Sequence, residues 1–157
     1  MEIDGYDSYG RFYDDFEKGM IFKHWPGKTI TQSDNHNFCL LTMNNSPLHL
    51  DVEYMKNHKY GKPIVVGLLV LSIIVGMTVQ DLSGKAIANL GYESVSHDGP
   101  VFEGDTLYAK SEVIEMRLSK TNPDAGIVKV ETFGYNQNNE KILTLRRNIY
   151  IPLRKEK

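Results

Sequence analysis

The run Asn44-Asn45-Ser46-Pro47-Leu48-His49-Leu50-Asp51 sets a histidine between turn-forming residues and the start of a helix. An imidazole exchanges protons near neutral pH, so a histidine aimed by a turn is a candidate general base. Asp51 lies two residues on. On spacing alone the plainer reading comes first: a helix cap with a half-buried structural histidine. The other four histidines, His24, His36, His58 and His97, have no such context and read as surface or packing residues.

A second candidate is Lys62-Pro63-Ile64-Val65-Val66-Gly67-Leu68-Leu69, where a proline and a glycine open an apolar stretch. The first turn of a helix carries unpaired N–H groups and a partial positive charge. A glycine there lets a carbonyl approach the backbone closely, as an oxyanion site needs. The plainer reading is that two elements cross closely at Gly67. A third segment, Gly99 to Leu107, reads as a turn feeding a long strand, and no catalytic role follows from it. The single cysteine, Cys39, sits among Phe38, Leu40 and Leu41 and rules out an internal disulfide. It reads as a small core residue of a reducing compartment, not a catalytic thiol. The chain shows no metal-ligand cluster.

These residues need positioning elements. Tyr6 to Phe16, rich in rings and acids, reads as an irregular arm. Met20–Trp25 and Lys28–Thr31 are short strand candidates broken by Pro26-Gly27. Thr31 or Ser33 caps a helix with Phe38, Leu40 and Leu41 on one apolar face, stopping near Asn44. Asp51 caps a short helix through Tyr54 and Met55 that ends at Gly61. Pro63 starts a long apolar helix, buried on all sides, that ends around Leu82-Ser83-Gly84.

After Gly84 the pattern changes to four extended runs, 85–97, 105–119, 126–136 and 141–153, separated by turn-rich breaks. In the third, Val128, Val130 and Thr132 share a face; in the last, Leu143, Leu145, Ile149, Ile151 and Leu153 do, interrupted by Arg147. One apolar helix followed by four antiparallel strands predicts an α+β fold, a curved sheet wrapped around that helix. Such a sheet leaves strand edges that need covering. The expectation is a homodimer or higher homo-oligomer.

The bulk properties narrow the class. A chain of 157 residues suits one domain, 1–157, with residues 1–18 as an N-terminal arm. Net charge is -2, and positive charge clusters only at Arg146-Arg147 and Arg154-Lys155-Glu156-Lys157, which argues against nucleic acid as a partner. The uncharged stretch Ile64–Val79 is shorter than the ~20 residues that span a bilayer, and the polar start of the chain is no signal peptide. No membrane partner and a cytoplasmic location are expected.

Three motifs in this order resemble the MaoC-like dehydratases, the (R)-specific enoyl-CoA hydratases with a hot-dog fold. That family has an Asp-x-Asn-Pro-x-His-x-Asp loop, a glycine step eighteen residues past the histidine, and a Pro-Val-x-x-Gly-Asp-Thr-Leu turn. Here Ser46-Pro47-Leu48-His49-Leu50-Asp51, Val66-Gly67-Leu68 and Pro100-Val101-Phe102-Glu103-Gly104-Asp105-Thr106-Leu107 match them, and the resemblance runs from about Gly10 to Leu153. The chain departs from the pattern at two positions. Asn44 stands where the family has its catalytic aspartate, and Ser46 where it has asparagine. An amide positions water but does not accept its proton. Leu41-Thr42-Met43-Asn44 is similar to the branch that includes mesaconyl-CoA hydratases.

The resemblance implies reversible addition of water across the 2,3 double bond of an enoyl-thioester. His49 then takes the proton from water, Asn44 holds that water, and the Gly67 N–H binds the thioester carbonyl. Ser46, Pro47, Val66 and Leu68 are the expected substrate-binding residues. No cofactor is implied beyond the coenzyme A of the acyl-CoA substrate, and no metal. Phe38, Leu68 and Met77 hint at a small or branched acyl group. Two other readings stay open: an acyl-CoA thioesterase, because the fold does not fix the function, and a non-catalytic acyl-thioester binding protein, which Asn44 favours.

Overall fold

The structure, a computed structural model, describes residues 1–155; Glu156 and Lys157 of the basic tail lie outside the described residues. The arm is not wholly irregular. Asp4 caps a one-turn helix, α1 (Gly5–Ser8), and a 3-10 turn follows at Tyr13–Asp15. The arm is fastened by Lys85, whose buried ammonium donates to the carbonyls of Tyr6, Tyr9 and Gly10. Two short strands follow, β1 (Ile21–Lys23) and β2 (Lys28–Thr29), both antiparallel to the later strand β4 (Thr106–Leu118).

Helix α2 (Gln32–Leu41) starts at Thr31. Its hydroxyl accepts the Asp34 N–H, and the Asp34 carboxylate accepts the Thr31 N–H in return. The expected apolar face is a correction: Leu40 and Leu41 are 77% and 84% exposed, and the helix buries Asn35 and Cys39 instead. The helix ends in a Schellman motif, with Asn44 N–H on the Cys39 carbonyl and Met43 N–H on the Leu40 carbonyl. Met43 takes the left-handed conformation, φ 57°, that glycine usually supplies. Two short helices follow, α3 (Pro47–Leu50) and α4 (Val52–Lys56), the second capped by Asp51.

The central helix, α5, spans Gly67–Met77 and starts four residues later than expected. The reason is long-range pairing. Pro63 to Val66 run extended, with Val65 N–H on the Val101 carbonyl and Ile64 bridged to Phe102. Beyond Met77 a π-helical turn covers Val79–Ser83. Nor is α5 buried on every side: Leu68, Ser72 and Gly76 form an exposed stripe.

Four long strands complete the fold: β3 (Ala88–His97), β4, β5 (Ala125–Tyr135) and β6 (Lys141–Pro152). They lie close to the four runs read from the sequence. The sheet order is β1-β4-β5-β6-β3, all antiparallel, with β3 at an edge. Val70 and Ile74 of α5 pack into one core with Leu107, Ala109, Leu143 and Leu145. Gly134 makes room for this, since a methyl there would sit 2.9 Å from Ile74 Cδ1. A second core holds Leu82, Val113, Val128, Val130, Ile149 and Ile151. A helix wrapped by a curved antiparallel sheet is the hot-dog fold, α+β in class.

The sheet interior also holds polar side chains. His24 is buried, with Nδ1 2.8 Å from Asp81 Oδ2 and Nε2 2.8 Å from Ser111 Oγ, and Ser111 continues to Thr132 at 2.7 Å. A carboxylate only accepts, so Nδ1 carries the proton and Nε2 accepts from Ser111. Arg147 is buried beside Thr78 and Ser83, whose hydroxyls accept from its Nη2. Cys39 is buried too, and that burial raises its thiol pKa, which fits a packing residue.

Candidate active site

A cavity of about 360 Å³ opens where the α3 loop, the start of α5 and the Asp98–Val101 turn meet. His49, Ile64, Val65, Gly67, His97 and Pro100 are among its lining residues. The structure therefore brings together His49 and Gly67, the two residues singled out for a base and an oxyanion site. It also brings in Gly99 to Val101 of the third segment, from whose residues alone no catalytic role followed.

His49 is half-buried, and its Nδ1 lies 2.8 Å from the carbonyl oxygen of Ile64. A carbonyl only accepts, so Nδ1–H donates to it. The neutral ring then carries its lone pair on Nε2, the form a general base needs. The turn before it is built from the polar residues of the motif. Asn44 Oδ1 accepts the Ser46 N–H at 3.2 Å, and Ser46 Oγ accepts the Leu48 N–H at 3.4 Å. Pro47 stands at the first position of α3, where no N–H is required.

Asn44, Ser46, Pro47, Val66 and Leu68 are not among the cavity-lining residues. Asn44 and Ser46 shape the turn that carries His49. Val66 is buried behind the wall, and Leu68 is 60% exposed.

At the start of α5, the N–H groups of Gly67 and Leu68 have no intrahelical acceptor. The Val66 N–H does have a partner, Asn35 Oδ1, at 3.1 Å. Asn35 is fully buried, and its Nδ2 donates to the His49 carbonyl at 3.4 Å and to Glu103 Oε1 at 3.1 Å. One amide thus ties the histidine loop, the helix start and the third segment together. Glycine at 67 leaves space that the exposed His97 ring occupies. A methyl there would lie 2.8 Å from His97 Cε1 and 3.0 Å from its Nε2.

Sequence reasoning missed Asn35, His97 and Tyr60, which also lines the cavity. Asn35 sits in the polar first half of α2, Gln-Ser-Asp-Asn-His-Asn, so its sequence context gave no signal for burial, and nothing local marks His97. Among the described residues no group of three His, Cys, Asp or Glu side chains is placed to hold a metal ion. No helix there is long and apolar enough to cross a membrane.

The family described as "MaoC like domain" matches residues 15–135. A beta-methylmalyl-CoA dehydratase of Chloroflexus aurantiacus is 33% identical over 142 residues, covering 90% of this chain and 40% of that protein. A mesaconyl-CoA hydratase of Cereibacter sphaeroides is 32% identical over 142 residues, covering 90% of this chain and 41% of that protein. The chain spans about two fifths of the length of these two relatives. A solved structure described as a monoamine oxidase regulatory protein from Archaeoglobus fulgius superposes with a TM-score of 0.82 at 32% identity. That match covers 93% of this chain and 97% of the other.

Proposed function

The chain belongs to the MaoC-like domain family, and from that premise we propose that it reversibly adds water across the 2,3 double bond of an enoyl-CoA. One observation carries the reading. His49, held with Nε2 as its lone-pair nitrogen, shares a cavity with Gly67, the first residue of an 11-residue helix. Water activated by His49 Nε2 attacks carbon 3. The thioester oxygen, gaining charge as the enolate forms, meets the Gly67 N–H and the positive end of α5. The step uses no metal and no resident cofactor. Asn44 keeps its turn-forming role, because its Oδ1 is committed to Ser46.

A small or branched acyl group suits both the modest cavity and the relatives named for methylmalyl- and mesaconyl-CoA. We propose a second copy of the chain as partner. Strand β3 is an open edge carrying exposed Leu90, Tyr92 and Val95, and such an edge invites pairing. A buried lone thiol suits the reducing cytoplasm, where we place the protein.

The test follows conjugated-thioester absorbance with crotonyl-CoA and mesaconyl-CoA, and free thiol in the same samples. Loss of absorbance without thiol release, reduced ~10²–10⁴-fold in His49→Ala, is the expected result. Thiol release instead identifies a thioesterase. Tight binding of a saturated thioester without turnover identifies a binding protein.

A further inference from the structure

Hydration needs two proton events. Water loses a proton as its oxygen bonds to carbon 3, and carbon 2 gains one. The resemblance supplies an aspartate–histidine pair for this work, but here the aspartate position is Asn44, turned to Ser46 and absent from the cavity wall. Four ionisable side chains line the cavity: His49, Tyr60, His97 and Asp98. Asp98 is engaged by the hydroxyls of Ser96 and Thr144. The Tyr60 ring packs against His58 and Phe102, with ring centroids 5.3 and 5.8 Å away. The imidazole of His97 lies against the Cα of Gly67, within 3 Å of where a side chain at 67 would begin. It therefore stands beside the helix start that we assign to the thioester carbonyl, and carbon 2 is bonded to that carbonyl carbon.

We infer that His97 is a second catalytic histidine, the proton donor to carbon 2. The inference rests on the hydratase reading. His49 Nε2 takes a proton from water, the O–H bond breaks and the C3–O bond forms. The π electrons of the double bond move through carbon 2 onto the thioester oxygen. They return as the C2–H bond forms with the proton of His97, and the C=O bond is restored. His49 ends protonated and His97 neutral, and exchange with solvent resets both. Asp98, next in sequence, is a charged neighbour of this histidine, and Lys141 approaches Asp98 to 3.9 Å. No oxidant or reductant is involved.

The experiment compares wild type, His97→Gln and His97→Ala on whichever enoyl-CoA the wild type turns over, with and without free imidazole. Melting temperatures control for folding. The expected result is a kcat loss of ~10²-fold or more in both variants with KM changed little. Imidazole should restore part of the rate in His97→Ala and none in His97→Gln, whose side chain still fills the space. Retention of kcat within about threefold in either variant would overturn the inference, since a general acid is worth ~10² or more. So would a kcat loss in folded His97→Ala that imidazole leaves untouched, because that is the behaviour of a packing group. A wild type inert toward every enoyl-CoA sinks the hydratase reading itself, a result visible without any variant.

Discussion

Asn35 Oδ1 accepts the Val66 N–H at 3.1 Å, joining α2 to the residue that opens α5. The same amide donates to the His49 carbonyl, so the proposed base and the proposed oxyanion site share one buried anchor. Asn35→Asp keeps the shape and the bond from Val66 but cannot donate, and it sets a carboxylate against Glu103. We expect kcat to fall at least tenfold with KM nearly unchanged, and stability to drop by about 1–3 kcal/mol. Steady-state kinetics alongside thermal melting would show this. Unchanged kcat in a destabilised variant would reduce Asn35 to a structural tie.

Gly67→Ala puts a methyl 2.8 Å from His97 Cε1, a separation that forces the ring away. Alanine is otherwise welcome in a helix. The expected outcome is a loss of kcat/KM of about tenfold or more with little change in melting temperature, because the change is in catalysis. Full activity would mean that neither His97 nor the substrate needs this space.

Met43 is 91% exposed and holds φ 57° at the end of α2. A left-handed conformation costs a residue with a Cβ about 1–2 kcal/mol, and glycine is free of that cost. Met43→Gly should therefore raise stability by about 1 kcal/mol, or roughly 2–4 °C in melting temperature for a domain of this size. Calorimetry decides it; a lower melting temperature would show that the exposed methionine contributes packing.

Burial lowers the pKa of His24 below its ordinary 6.5, against the opposing pull of Asp81, and Arg147 adds to the lowering. The contact with Asp81 is thus a hydrogen bond from a neutral ring. The unfolded chain binds a proton here more readily than the folded one. Stability from this group is fully present above pH 6.5 and is lost as pH falls below it towards the lower folded value. His24→Asn should flatten that part of a pH–stability curve measured by denaturant unfolding. An unchanged slope would place the acid sensitivity elsewhere.

The strands were legible because burial alternates along them, as Leu143, Leu145, Ile149 and Ile151 do in β6. His49 was legible because asparagine, serine and proline announce a turn whatever surrounds it. The start of α5 was not. Pro63 to Val66 are apolar and could enter a helix, but pairing with Val101 and Phe102 holds them extended. Leu40 and Leu41 read as core by type, yet nothing among the described residues covers them. His97 reaches Gly67 and His24 reaches Asp81 only through the fold, from 30 and 57 residues away, and local pattern cannot report such meetings.

The amide of Asn35 bonds to groups 14, 31 and 68 residues further along the chain. Bonds that close such different spans form only after the segments between them have docked, and long spans close last. A chain emerging from synthesis would therefore acquire its secondary structure well before it acquired a working site. Regain of activity during refolding should lag regain of helical and sheet signal, and partly folded chains should be catalytically silent.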